Sequence, residues 1–194
     1  TIQNHVAVVI QGRAAISEWR HANPGISLHL QGADLQGADL RDVNLRGADL
    51  SNGKFVGCNF VKSDLSRANL HMADFTGANL TGADMSMSYA KGVLFVDAKM
   101  CAAVMRRMTA KNALFIRTDL TMADVAFAEF LGAKFDGAIT EFMVNVNTCS
   151  FVWWMSPHGG YPSYIPVPGW SKLDESVLGG ISIRENAARE QLEK

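Results

Sequence analysis

Carboxylates recur through this sequence at a fixed spacing, and converging carboxylates are the tools of general acid–base catalysis and of calcium binding. Asp34, Asp39, Asp49, Asp64, Asp74, Asp84, Asp119 and Asp124 share one register with Asn44, Asn69 and Asn79, and every interval is a multiple of five. Such a row is spread along the chain and does not converge. A short polar side chain recurring beside a turn bonds its own backbone and stays solvated, and the row is read in that structural sense. The other chemistry-bearing residues assemble no site either. His5, His21, His29, His71 and His158 have neither metal-ligand nor triad spacing. Cys58, Cys101 and Cys149 include no CxxC pair, so neither a zinc site nor a disulfide framework is expected. The glycines of the repeated stretch fall singly, not in a phosphate-cradling loop. No catalytic residue, metal ligand or cofactor is assigned, and the chain reads as a non-enzyme.

What places the carboxylates is a five-residue repeat running from Gln31 to about Ile139. Every fifth residue from Leu35 to Phe135 is apolar: eight Leu, seven Phe, three Met, two Ala and one Val. A small residue, most often Ala, sits two positions earlier. On an α-helix five residues advance by about 140°, so the large apolar positions would wander round the circumference. On a continuous strand an odd period would throw alternate centres onto opposite faces. The chain must therefore turn once per five residues. Ala33 and Leu35 then share the inner face of a short extended piece, Asp34 points outward, and Gln36-Gly37 form the corner. Glycine recurs at that second corner position, where it relieves Cβ crowding. The result is a solenoid with small and large apolar residues inside and polar ones outside.

The units GADLQ, GADLS, RANLH, GANLT and GADMS resemble the pentapeptide-repeat family, whose unit reads A(D/N)LxG. The resemblance covers residues 31–138 and implies an all-β solenoid, a right-handed quadrilateral β-helix with 20 residues per coil. About 5.5–6 coils are expected. Residues 20 apart then stack, and one column reads Leu35, Phe55, Phe75, Phe95, Phe115, Phe135. Stacked rings bury much area in favourable offset contact. A neighbouring column has a hole at Ala90 and Ala110, which Met108 is placed to fill. Beyond Phe135, Val144-Asn145-Val146 and Cys149-Ser150-Phe151 fit the unit if one residue is inserted between 136 and 142. Trp153-Trp154-Met155 would then cover the end of the core.

The flanks differ from the repeat. Asn4 to Ala22 reads as one helix, stopped by Asn23-Pro24-Gly25, whose task is to cover the open end of the core and its unpaired backbone edge. Residues 1–26 are thus a capping segment, 27–153 the β-helix, and 154–194 a Pro/Gly/aromatic loop followed by short helices that start near Ser171 and Ser182. Charge is balanced, with 18 Lys+Arg against 19 Asp+Glu, which argues against direct nucleic-acid binding. No apolar run spans a bilayer and no signal-peptide pattern opens the chain, so no membrane partner is expected. A cytoplasmic location is expected. Thr at position 1 is the start expected of a trimmed chain.

Two surface features stand out. Leu94 and Leu114 share an outward column, and Val56, Val96 and Ile116 share the adjacent corner column. Together they form an apolar strip where polar residues are the rule. The strip is expected to be covered by the C-terminal tail or by a second molecule, which makes it a candidate surface for another protein or for a homodimer. Arg67, Lys91, Arg106, Arg107 and Lys111 form a candidate basic patch. The function expected is a rigid protein-binding or scaffold module, because each coil is filled by its own side chains. The resemblance implies an alternative: some pentapeptide-repeat proteins mimic duplex DNA and bind or protect type II topoisomerases such as DNA gyrase. That role needs an acidic surface, whereas residues 31–140 carry 12 acidic and 12 basic residues.

Overall fold

In the computed structural model of the protein, residues 2–149 are described. Two helices lead, α1 at Ile2–Ile10 and α2 at Arg13–Ala22. The single helix expected over 4–22 is broken at Gly12, whose φ of 84° takes the left-handed region that glycine reaches without a Cβ penalty. Asn23 closes α2 by donating both its backbone N–H and its side-chain Nδ2 to the Trp19 carbonyl, at 2.9 and 2.8 Å.

From there the chain winds as the period requires. Each outward residue pairs in parallel with the residue 20 positions later, without omission from His29↔Asp49 to Asp124↔Val144. Every side contributes one bridged residue between two turns, too short to count as a strand. The amides one and three residues after the bridged residue join consecutive coils, as in Leu45 N–H to Asp64 C=O and Gly47 N–H to Ser66 C=O after Asn44. Inside, the large and small positions are sealed: Phe55, Phe75, Phe95 and Phe115 are fully buried, as are Ala90, Met108 and Ala110. The Phe column is a continuous stack, with ring centroids 5.0, 5.5, 5.1 and 4.8 Å apart from Phe55 to Phe135. Phe60 and Phe130 meet it edge-on. Next to Met108 in the small-residue column, the Ser88 hydroxyl is buried without a hydrogen-bond partner.

The corners reveal a backbone demand. At the second corner position every residue has positive φ, from Gly32 at 66° through Lys62 at 57° and Arg107 at 56° to Phe142 at 56°. Glycine serves the left-handed conformation itself, not merely relief from crowding. Fourteen non-glycine residues accept it, and none is β-branched, the class for which it costs most.

The register also runs further than expected, with no insertion between 136 and 142. Ile139 and Val144 take their bridges, and Thr140 occupies a buried centre. The break comes at Asn145, left-handed at φ 61°, followed by a short 3-10 helix at Val146–Thr148. Cys58 and Thr118 donate to the carbonyls 23 residues earlier, whereas Cys149 donates to Val125, 24 residues earlier. One residue is therefore inserted, but after Val144. The readings for Phe151, for Trp153-Trp154-Met155 and for the loop and helices of 154–194 lie outside the described residues.

Candidate functional site

The row of carboxylates and asparagines resolves into local structure. Asp49, Asp64, Asp74, Asp84, Asp119 and Asp124 each accept the backbone N–H two residues on, at 2.8 to 3.1 Å. Asn59, Asn69 and Asn79 do the same. Each side chain therefore pins the turn that follows it, which explains its recurrence without a ligand. Among the described residues no group of His, Cys, Asp and Glu could hold a metal ion.

Four of the five residues named for the apolar strip are neighbours on successive coils. Leu94 and Leu114 are bridged to each other, with Asp74 below and Lys134 above in the same column. Val96 and Ile116 follow them at the corner, and all four are half-buried. Val56 lies in the same corner column but is cut off by Thr76, whose N–H is held by Asp74. The continuous strip is Leu94, Val96, Leu114 and Ile116. Its rim is an ion pair in the next corner column, Arg117 to Asp97 at 2.6 Å. That pair lowers the Asp97 pKa, chiefly through the hydrogen bond from Arg117. A second exposed apolar group escaped the sequence reading: Ile139, Phe142 and Val144 surround one corner, with Met122 beneath Phe142. The signal available for it was Met and Phe at corner positions that carry Gly most often, and otherwise mainly Arg, Asn or Asp.

The basic patch separates into two halves. Arg106 pairs with Asp124 at 2.6 Å, and Lys111 with Glu129 at 3.0 Å. Burial raises the Asp124 pKa, but the hydrogen bonds from Asn145, Arg106 and the Ala126 backbone outweigh it and hold the carboxyl below its usual range. Arg107 lies over the Phe127 ring, 5.9 Å from its centroid. Lys91 contributes its carbonyl to Met72 N–H and His71. Arg67 stands apart and joins two residues the sequence reading passed over, Arg20 and Arg46, around an open cleft of about 490 Å³.

Arg20 reaches that cleft through a capping role. Deeper in the array, the carbonyls of Asp64 and Ser66 accept amides from the preceding coil. The equivalent carbonyls of the first coil, Asn44 and Arg46, have no preceding coil. Arg20 supplies the donors, Nε to Asn44 at 2.7 Å and Nη2 to Arg46 at 2.9 Å. His5 does the reverse on α1: its Nδ1 accepts the His29 N–H at 3.0 Å, where deeper bridged residues use a carbonyl. The two helices thus replace a missing coil group by group, which is what an edge requires.

The family model for pentapeptide repeats matches in eight copies, residues 28–60, 44–82 and 58–95 among them. The chain carries pentapeptide repeats. No curated protein matches it at a significant level. Among solved structures, similarity extends to a pentapeptide repeat protein from the Arabidopsis thaliana thylakoid lumen, at 24% identity over 56% of this chain and 65% of that one, with a TM-score of 0.40. The pentapeptide repeat protein Rfr23 from the cyanobacterium Cyanothece 51142 is 16% identical over 70% of this chain and 97% of that one, with a TM-score of 0.48. QnrB1, a plasmid-mediated fluoroquinolone resistance protein, is 22% identical over 58% of this chain and 64% of its own, with a TM-score of 0.37. The match thus spans less than two thirds of the first and third of these. Among the described residues of this pentapeptide-repeat chain, no helix is long and apolar enough to cross a membrane.

Proposed function

We propose that this pentapeptide-repeat chain is a non-enzymatic binding module, a rigid scaffold whose partner is another protein docked on the Leu94–Ile116 strip. The observation that carries this reading is the strip itself. Bridged outward positions elsewhere on these coils hold mainly Asp, Asn, Lys or Thr, so two successive leucines flanked by Val96 and Ile116 place apolar area where the fold asks for none. Among the described residues the interior of the coils is filled by its own large side chains, which favours a site on the surface. A cytoplasmic, reducing location accords with Cys58, Cys101 and Cys149 all being free thiols.

The test replaces both leucines by the residue the fold itself prefers there. Leu94→Asn/Leu114→Asn should leave thermal stability within about 1 kcal/mol, because Asn59, Asn69 and Asn79 occupy the same kind of position. In a pull-down from native cell extract, the wild-type chain should retain a protein that the double variant loses. Identical captured sets would refute the reading. Light scattering at two concentrations separates a second copy of this chain from a different partner. The topoisomerase alternative gains no support from the charge of the repeats. A supercoiling assay with DNA gyrase, with and without quinolone, checks it directly.

A further inference from the structure

The cleft between the end of α2 and the first coils is lined by Arg20, Arg46 and Arg67 together with Asn23, Ser27 and Gly47. Among the described residues none of the three arginines makes an ion pair, and neither does Arg107; Arg41, Arg106, Lys111 and Arg117 do. Two of the three are held in place by neutral groups. Arg20 is anchored on the Asn44 and Arg46 carbonyls, and Arg46 donates Nη1 to the Ser66 hydroxyl at 3.0 Å. Guanidinium groups fixed by carbonyls and hydroxyls keep their full charge and spare donors for a ligand. Arg67 makes no side-chain hydrogen bond within the described residues, yet it holds a left-handed corner, φ 58°, where glycine would be less strained.

Burial lowers the Arg20 pKa, and the field of Asp64, the acidic residue that reaches it, opposes that shift. On the far side of Arg20, Arg13 and Asp42, one charge of each sign, line a second hollow. Three guanidinium charges against one carboxylate leave a net charge of +2 at the cleft. That matches a phosphoryl group, which carries about −1.5 to −2 at neutral pH, better than a single carboxylate. No aromatic side chain lines the cleft, so nothing there would stack on a base. We infer that the cap–coil cleft of Arg20, Arg46 and Arg67 is an oxyanion site that takes a phosphoryl group. The site is independent of the apolar strip and stands whether or not the strip binds a protein.

The shared chemistry, a phosphoryl oxyanion, has two sources: a free small phosphate or a phosphorylated side chain of a partner. Isothermal titration calorimetry at low ionic strength resolves them, with inorganic phosphate and a phosphoserine peptide as probes and the unphosphorylated peptide as control. Wild type should bind both phosphoryl probes. Arg67→Gln should weaken inorganic phosphate at least about tenfold, the scale of one charge-assisted bidentate contact. Arg67 contributes no side-chain bond to the fold, so circular dichroism should be unchanged. Arg107→Gln, two coils further along the same corner column, should bind as wild type. A phosphopeptide at least about tenfold tighter than inorganic phosphate supports the site with a phosphoprotein as its source, and equal affinities support it with a small phosphate. Absence of phosphate binding by wild type overturns the assignment. So do equal losses in Arg67→Gln and Arg107→Gln, or equal affinity for the two peptides.

Discussion

Replacing Phe95 by Ala tests whether the ring column is the spine of the array. Phe95 is fully buried, stacked on Phe75 at 5.5 Å and on Phe115 at 5.1 Å. Truncating a buried Phe costs about 3–5 kcal/mol, and the range reflects how far neighbours collapse into the space. Collapse is obstructed here, because Phe75 and Phe115 are each fixed by a further ring, Phe55 and Phe135. Two stacked contacts, each worth roughly 0.5–1.5 kcal/mol beyond area, are lost together. The upper part of the range is therefore expected, about 4–5 kcal/mol. Phe135 is the last ring of the column among the described residues and is half-buried, so Phe135→Ala should cost about 2 kcal/mol. Phe95→Leu retains most of the volume and isolates the ring term, at about 1–2 kcal/mol. Urea unfolding followed by circular dichroism measures all three. Because coils interact mainly with their neighbours, Phe95→Ala should also broaden the transition, as the array uncouples at its middle. If Phe95→Ala costs no more than Phe135→Ala, the column is not the spine.

Two further outcomes follow from local geometry. Gly53 stands where the repeat favours Ala, so Gly53→Ala looks like a repair on the pattern alone. A Cβ there would lie 2.5 Å from the Phe55 ring and 3.0 Å from the Leu50 carbonyl, so Gly53→Ala should destabilise by about 1–3 kcal/mol in the same unfolding assay. A stabilised variant would show that the Phe55 ring is free to move. The second concerns pH. Burial is the main cause that lowers the His5 pKa from 6.5, and the neighbouring His29 ring adds to it. With a folded pKa below the unfolded one, the unfolded state binds the extra proton first, so the stability that neutral His5 contributes is present above pH 6.5 and is lost as the pH falls below it. Protonation also removes the Nδ1 lone pair that accepts the His29 N–H. Exchange of the His29 amide, corrected for intrinsic rate, should accelerate between pH 7.5 and 5.5 in wild type and stay level in His5→Gln. An equal pH dependence in the two proteins would refute this role for His5.

The core was legible because its period is short and the same demand recurs more than twenty times. Any residue that must be apolar every fifth place shows itself without knowledge of coordinates. The corners were not legible in the same way. Glycine at Gly32, Gly37 or Gly47 is visible, but Lys62, Met87 and Arg107 meet the same left-handed requirement. Only the avoidance of Val, Ile and Thr carries it, and an avoidance is harder to see than a preference. The end of the register was hidden by two substitutions at once. Thr140 fills an apolar centre, and Phe142 takes a corner. Hydrophobicity at those places points to the wrong register, while the bridges Asp119↔Ile139 and Asp124↔Val144 keep the right one.

The surface was less legible than the core for a topological reason. A basic cluster reads from sequence as neighbouring basic residues, and Arg106-Arg107 attracts the eye for that reason. Three-dimensional pairing cancels it, since Asp124 returns 18 residues later to meet Arg106. Arg20, Arg46 and Arg67 look unrelated along the chain. The coil period brings Arg67 beside Arg46, and the two carbonyls left bare at the start of the array bring Arg20 to both. An unpaired charge therefore collects where the solenoid begins, because the edge needs donors and an arginine that donates to carbonyls spends no charge on them. The same reasoning applies to other solenoids whose first coil is capped by a basic side chain: the cap residue is held by neutral acceptors, and its charge remains available to whatever approaches the end of the array.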